Sequence, residues 1–272
     1  MKITKAIIPV AGWGTRRLPV TKAIEKCMLP IGNRPVIDYV VTDCVKAGIT
    51  DIYFVVGEQS TQIRDYYRDN SDLNDYLVRN HKESMLALIK PPKVGFHFIT
   101  QPSYGKYGTA IPVSLVLPYI ENDESVVVLM GDDCIYNQDD SSEVARLIES
   151  AGTDCAMLGV EVPPTELSRY GVIDMDDNGT FKRIVEKPSG DEAPSNLINV
   201  SKYVLNNAAL RLINDYSSRD DISGEYYITD PINQYVQNGG SLRVVRANGQ
   251  YLDSGTVEGW LKANKIVIEG QL

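Results

Sequence analysis

The stretch Ala6-Ile7-Ile8-Pro9-Val10-Ala11-Gly12-Trp13-Gly14-Thr15-Arg16-Arg17 decides the fold. Residues 6–10 are a short apolar run that reads as a buried strand, and the glycines after it end that strand in a turn. Glycines let a backbone approach a polyphosphate and aim N–H groups at it, and fixed Arg and Lys side chains neutralise its oxygens. The residues thus describe a nucleotide-triphosphate cradle at a strand tip, continued by Lys22-Ala23-Ile24-Glu25-Lys26-Cys27-Met28-Leu29-Pro30. It is neither a dinucleotide fingerprint, since Arg17 stands where the third glycine would, nor a Walker A loop.

Working outward, Pro35 to Gly48 places Ile37, Val40, Val41, Cys44 and Val45 at helical spacing. Further strands are expected at residues 51–57, 96–100 and 125–130, with helical segments between them. Strand and helix alternating in this way mean a largely parallel sheet covered on both faces. After Thr153 shorter strands take over, with turns at Asp176-Asp177-Asn178-Gly179 and Gly239-Gly240 and helices near 208–215 and 228–237. Asn70 to Lys90 is a polar, helix-compatible insertion. With no repeat and no low-complexity linker, the halves 1–152 and 153–272 are expected to share one core as a single domain.

The bulk properties exclude several classes of function. A formal charge of -9 argues against nucleic acid as partner. Cys27, Cys44, Cys134 and Cys155 stand far apart, and only His81 and His97 supply imidazole, so reduced thiols, no zinc and a cytoplasmic location are expected. The apolar start is too short for a membrane span and in the wrong order for a secretory signal, so no membrane partner is expected.

The combination A-G-x-G-T-R followed by K-x-x-x-K-x-M-L-P resembles the signature of the sugar nucleotidyltransferases, and the resemblance continues along the chain. It implies an α/β fold, a Rossmann-like nucleotide-diphospho-sugar transferase sandwich with a mixed, mostly parallel central sheet. Met130-Gly131-Asp132-Asp133 and Tyr251-Leu252-Asp253-Ser254-Gly255-Thr256 resemble the family's two carboxylate motifs, which implies Asp132 and Asp253 as Mg²⁺ ligands. Mg²⁺ suits such a pair, because it usually takes one or two carboxylates plus phosphate oxygens. Tyr170-Gly171-Val172-Ile173 and Val185-Glu186-Lys187-Pro188 are similar to the sugar-phosphate motifs, so Gly171 lies beside the sugar, Glu186 accepts from its hydroxyls and Lys187 holds its phosphate. Ala193 to Leu197 and Gly224 to Asp230 match segments whose roles are mainly positional. In Gln101-Pro102-Ser103-Tyr104-Gly105-Lys106-Tyr107-Gly108 the resemblance assigns Gln101 to a pyrimidine; an amide offers the donor and acceptor that uracil needs.

The implied nucleotide site is Ala11, Gly12, Gly14, Thr15, Gln101 and Gly108, and the implied catalytic set is Arg16, Lys26, Asp132 and Lys187. The insertion at 70–90 and the Lys22 to Pro30 string are closest to bacterial UTP:glucose-1-phosphate uridylyltransferases, implying UTP and glucose 1-phosphate as partners. The Gln-Pro-Ser and Leu-Asp-Ser-Gly-Thr strings lean towards thymidylyltransferases and dTTP. A glycosyltransferase using a finished UDP-sugar and a non-catalytic nucleotide sensor are the alternatives from other classes. Three departures stand out: Glu25 and Cys27 where the pattern usually has Pro and Glu, and Lys106 where a glycine is common. Cys27, beside Lys26, is a candidate thiolate. A homo-oligomer is left open, because the chain runs only a short way past the helix around Trp260.

Overall fold

The structure is a computed structural model that describes residues 2–189 and 192–271. The opening run forms β1 (Lys5–Pro9), and a small hairpin of β2 (Pro30–Ile31) and β3 (Arg34–Pro35) follows the Lys26 loop. Then come α1 (Val36–Lys46), β4 (Asp51–Gly57), α2 (Gln62–Tyr67), α3 (Ser71–Arg79) and α4 (Leu86–Ile89). β5 (Gly95–Gln101), α5 (Ala110–Val116), β6 (Val126–Leu129), β7 (Asp133–Tyr136) and α6 (Glu143–Ala151) close the first half. The second half holds β8 (Cys155–Glu161), β9 (Gly171–Met175), β10 (Phe181–Glu186), β11 (Leu197–Leu205), α7 (Asn207–Ser218) and α8 (Thr229–Gln237). It ends with β12 (Leu242–Arg246), β13 (Gln250–Asp253) and α9 (Val257–Gln271).

The main sheet runs β10-β9-β11-β6-β1-β4-β5, with β8 beside β11 and β12 beside β8. β1 pairs in parallel with both β4 and β6, and β4 with β5. β11 is antiparallel to β6, β8 and β9, so the sheet is mixed as expected, parallel in its first half and largely antiparallel in its second. Side chains alternate between the two faces along β1 and β6. Ile8 and Val127 join the layer under α1, α6 and α9, whereas Ile7 and Val128 join the layer under α5, α7 and α8. Each layer draws residues from both halves of the chain, so neither half could bury its apolar face alone.

The polar insertion is helical where expected, with Asn70 accepting from the Leu73 N–H at 3.0 Å to start α3. His97 pairs with Asp51 at 2.9 Å and stacks on Tyr53, away from the strand tips that make the site. Among the described residues no helix is long and apolar enough to cross a membrane.

Candidate active site

The glycine loop leaves β1 with Val10 still tied to Val55 of β4. Gly14 lies at φ 65°, and a Cβ there would stand 3.0 Å from both Lys26 Cβ and Thr21 Cγ2. The Thr21 hydroxyl donates to Gly14 O at 2.9 Å, folding the Lys26 segment back over the loop. Lys26 Nζ then meets Asp132 Oδ2 at 2.7 Å, at the tip of β6. Burial works against charge on both partners, and each ion outweighs it for the other. The Asp132 carboxyl is held below its ordinary value by Lys26 and Lys202, and the Lys26 ammonium above its own by Asp132.

Next to Asp132, the strands β7 and β13 pair with Asp133 opposite Asp253. The Ser254 hydroxyl donates to Asp132 O at 2.7 Å, so the two carboxylate motifs are clipped together. Asp133 itself is engaged: it forms an ion pair with Lys202 of β11, which is 3% exposed, and accepts from the Tyr251 hydroxyl at 2.9 Å. Asp253 Oδ2 accepts from Tyr170 OH at 2.8 Å and Arg169 Nη2 at 2.9 Å, while Oδ1 accepts from the Gly255 N–H at 2.8 Å. The neighbouring arginines part company. Arg17 is buried and donates to Ser254 O and Thr256 O, both at 2.8 Å. Arg16 is exposed, with its Nη2 3.0 Å from where a Cβ on Gly255 would stand.

On the second half, β9 and β10 set Gly171 opposite Glu186. A Cβ on Gly171 would come within 3.1 Å of Glu186 Oε1 and 2.8 Å of Ile184 Cγ2, so only glycine fits beneath that carboxylate. Glu186 accepts from the Thr229 hydroxyl at 2.8 Å, and burial pushes its carboxyl up. Lys187 donates its N–H to Tyr170 O at 3.0 Å and its ammonium to Tyr227 OH at 3.2 Å. Tyr170 thus joins Lys187 to Asp253, and Ser254 carries the connection on to Asp132.

Gln101 ends β5, and the loop after it returns to α5 through Gly108 at φ 123°. A Cβ there would fall 2.5 Å from the Tyr226 backbone, which accepts from the Ala110 N–H and donates to Tyr107 O. The Gly224 to Asp230 segment is therefore a support for the loop after Gln101 and for Glu186. Lys106 directs its ammonium to Ser217 O and Ser218 O, at 3.1 and 3.0 Å, where α7 presents its last carbonyls.

A cleft of about 690 Å³ is lined by Ala11, Gly12, Gly14, Thr15, Lys26, Gln101, Gly108 and Asp132. Arg16, Gly171, Glu186, Lys187 and Asp253 are not in its wall; Glu225 is its contribution from the second half. Tyr170, Tyr227 and Thr229 lie in motifs quoted from the sequence, which did not foretell these contacts, and sequence reasoning overlooked Arg169 and Lys202. Of those two, Lys202, a charge inside the apolar strand Val200-Ser201-Lys202-Tyr203-Val204, carried a local signal. The expectation for Cys27 is overturned: it is 0% exposed, and burial pushes its thiol far up despite Lys26. A thiol without water around it has no means of stabilising the thiolate.

Residues 5–270 match the nucleotidyl transferase family. The UTP–glucose-1-phosphate uridylyltransferase 1 of Staphylococcus saprophyticus is 35% identical, over 96% of this chain and 91% of that one. The UTP–glucose-1-phosphate uridylyltransferase of Mycoplasma pneumoniae is 33% identical over 97% and 91%. Among solved structures, the UTP-bound UGPase of Acinetobacter baumannii superposes with a TM-score of 0.85 at 29% identity, covering 97% of this chain and 93% of its own. With the glycine loop, the paired carboxylate motifs and the mixed sheet in place, the chain belongs to the nucleotidyl transferase family.

Proposed function

We propose that this chain transfers the uridylyl group of UTP to glucose 1-phosphate, giving UDP-glucose and pyrophosphate. The observation that carries the reading is the Lys26–Asp132 pair, set into a glycine-lined cleft whose wall also holds Gln101 and Gly108. The names of the relatives at 33–35% identity support the same choice of triphosphate and sugar. The chain acts as one domain, with 1–152 taking the nucleotide and 153–272 the sugar phosphate. The four free cysteines agree with a reducing, cytoplasmic setting.

In this reading the N–H groups of Ala11 to Thr15 and the Arg16 guanidinium take the β- and γ-phosphates. Gln101 bonds the Watson–Crick face of uracil, and Gly108 lets the base loop lie flat against it. Lys187 holds the phosphate of glucose 1-phosphate, and Glu186 accepts from the sugar hydroxyls. A phosphate oxygen of the sugar then attacks the α-phosphorus in line, and the bond to pyrophosphate breaks. No proton need move on the protein, so turnover depends on positioning and on charge met by Lys26, Arg16 and Lys187.

Asp132 and Asp253 fit Mg²⁺. Both offer hard oxygen donors from adjoining motifs, clipped by Ser254. Among the described residues no three acidic, His or Cys side chains gather into an all-protein cage, and Mg²⁺ completed by substrate phosphates needs none. Mg²⁺ held there supplies charge neutralisation to the phosphates. Lys26 and Arg169 balance the charge of these carboxylates, and the neutral Tyr170 hydroxyl donates to Asp253.

Pyrophosphate release measured with UTP, dTTP and CTP against glucose 1-phosphate tests the reading. The largest kcat/KM is expected with UTP, with dTTP a weaker second substrate. A larger value with dTTP would make the enzyme a thymidylyltransferase, and no pyrophosphate with any triphosphate would leave a nucleotide-binding protein.

A further inference from the structure

Glu25 immediately precedes Lys26 in the loop that carries that ammonium to Asp132. Its backbone lies at φ -57° and ψ 134°, close to the φ that a proline ring would impose. A glutamate has no ring to hold it there, and hydrogen bonds take that part. Glu25 Oε1 accepts from the Gln62 backbone N–H at 3.0 Å, and Oε2 accepts from the Ser60 hydroxyl at 2.7 Å. In return the Glu25 N–H donates to Gln62 Oε1 at 2.9 Å, and the Gln62 amide donates to Ala23 O at 2.7 Å. Gln62 is the first residue of α2, and Thr61 before it makes no side-chain cap, so the Glu25 carboxylate satisfies that N–H from across the cleft wall.

This latch joins two parts of the site. On one side Lys26 reaches Asp132, and Thr21 ties the same loop to Gly14. On the other, Ser103 donates to Glu58, which links the β4–α2 loop to the base loop after Gln101.

We propose that Glu25, locked to Gln62, is a positioning residue that aims Lys26 at Asp132 and at the triphosphate, holding its proline-like backbone by side-chain hydrogen bonds. The proposal rests on the cleft being a UTP site. UTP affinity by calorimetry and steady-state constants for both substrates, with thermal unfolding as the check on folding, test it. Glu25→Ala is expected to weaken UTP binding about tenfold and to leave KM for glucose 1-phosphate within about twofold. Gln62→Ala keeps the backbone N–H that Glu25 Oε1 accepts from and removes only the side-chain bonds to the Glu25 N–H and Ala23 O, so a smaller loss of about threefold is expected. Glu25→Gln, which keeps the shape and part of the bonding, should lose about threefold, and it carries the test if the alanine variant folds poorly.

The decisive background is Lys26→Ala, in which adding Glu25→Ala should cost UTP binding less than about twofold, since the residue acts through Lys26. A tenfold loss persisting there, or unchanged UTP affinity in Glu25→Ala, would each overturn the latch. Failure of the wild-type protein to use UTP would instead overturn the proposed function, and the same variants would then be titrated with the triphosphate it does use.

Discussion

The two ends of the site are built by different means. At the Lys26–Asp132 end the groups leave the tips of β1 and β6, which lie side by side in a parallel ladder with Ala6, Ile7, Val127 and Val128 fully buried. At the Asp253–Lys187 end the groups sit on antiparallel strands nearer the surface, and Tyr170, Arg169, Thr229 and Tyr227 hold them through side-chain hydrogen bonds. Packing places Asp132 and the start of the glycine loop, whereas hydrogen bonds place Lys26 and the second end. A packed strand tip holds its geometry when one polar bond is lost, whereas a hydrogen-bonded cluster gives way bond by bond, each worth about 1 kcal/mol. Loss of either carboxylate should therefore stop chemistry while sparing the fold, and loss of a supporting polar group should give graded effects.

The largest effect is expected from the two carboxylates. Asp132→Asn and Asp253→Asn should each lower kcat at least about a hundredfold, the scale for losing one preorganised electrostatic group. Unfolding midpoints should move by only a few degrees, about what 1 kcal/mol gives in a domain of this size. Near-normal turnover of either variant at limiting Mg²⁺ would remove that residue from the proposed metal site.

Next come the cations that divide the substrates. Lys187→Ala should raise KM for glucose 1-phosphate about tenfold with little change for UTP, and Arg16→Ala should do the reverse. Equal damage to both constants in both variants would erase the contrast between the ends.

Smaller still, Tyr170→Phe removes one hydrogen bond to Asp253 while its backbone carbonyl keeps Lys187 in place. A loss of about fivefold in kcat is expected, corresponding to about 1 kcal/mol. A loss as large as that of Asp253→Asn would show Tyr170 to be more than a support.

The smallest effect concerns the thiols, all four of them buried. Burial pushes Cys134 up to about 12 and Cys155 to about 11, with Cys27 and Cys44 raised further. The native protein should therefore resist thiol reagents at pH 8 and keep full activity, while the unfolded chain reacts at every cysteine. The folded state retains these protons above the ordinary value of 9.0 and the unfolded state releases them, so stability should fall as pH rises past that point. Labelling of Cys27 in the active protein, slowed by UTP, would restore it as a reactive group.

Much of the fold was legible because its signals are local. The expected strands at 51–57 and 96–100 lie within a residue of β4 and β5, since apolar β-branched runs bounded by glycine repeat the same pattern. The helix expected from Pro35 to Gly48 is α1, Val36–Lys46, for the same reason. The residues proposed for the nucleotide were equally accessible, and the glycine loop, Lys26, Gln101, Gly108 and Asp132 meet around one cleft. What escaped were the contacts of the support: Tyr170 and Thr229 stood in quoted motifs, but they and Gln62 are ordinary polar residues until the chain brings them to a carboxylate.

By itself the sequence determined the alternation of strand and helix, the glycine turn at the tip of β1, and the motifs that carry charge. Those depend on residues within a few positions of one another. Between chemically equal neighbours the motif resemblance named Asp132 and Arg16, and only the tertiary structure supplies the physical reason. Asp133 is drawn inwards by Lys202 and Tyr251, 69 and 118 positions away, leaving Asp132 to face Lys26. Arg17 is spent on the carbonyls of Ser254 and Thr256, 237 and 239 positions away, leaving Arg16 exposed. Glu25, which the pattern alone marks as a defect in the loop, finds Gln62 across the cleft wall and becomes its latch. In each case the environment of a charged group is made by distant strands and loops, and only folding brings them to it.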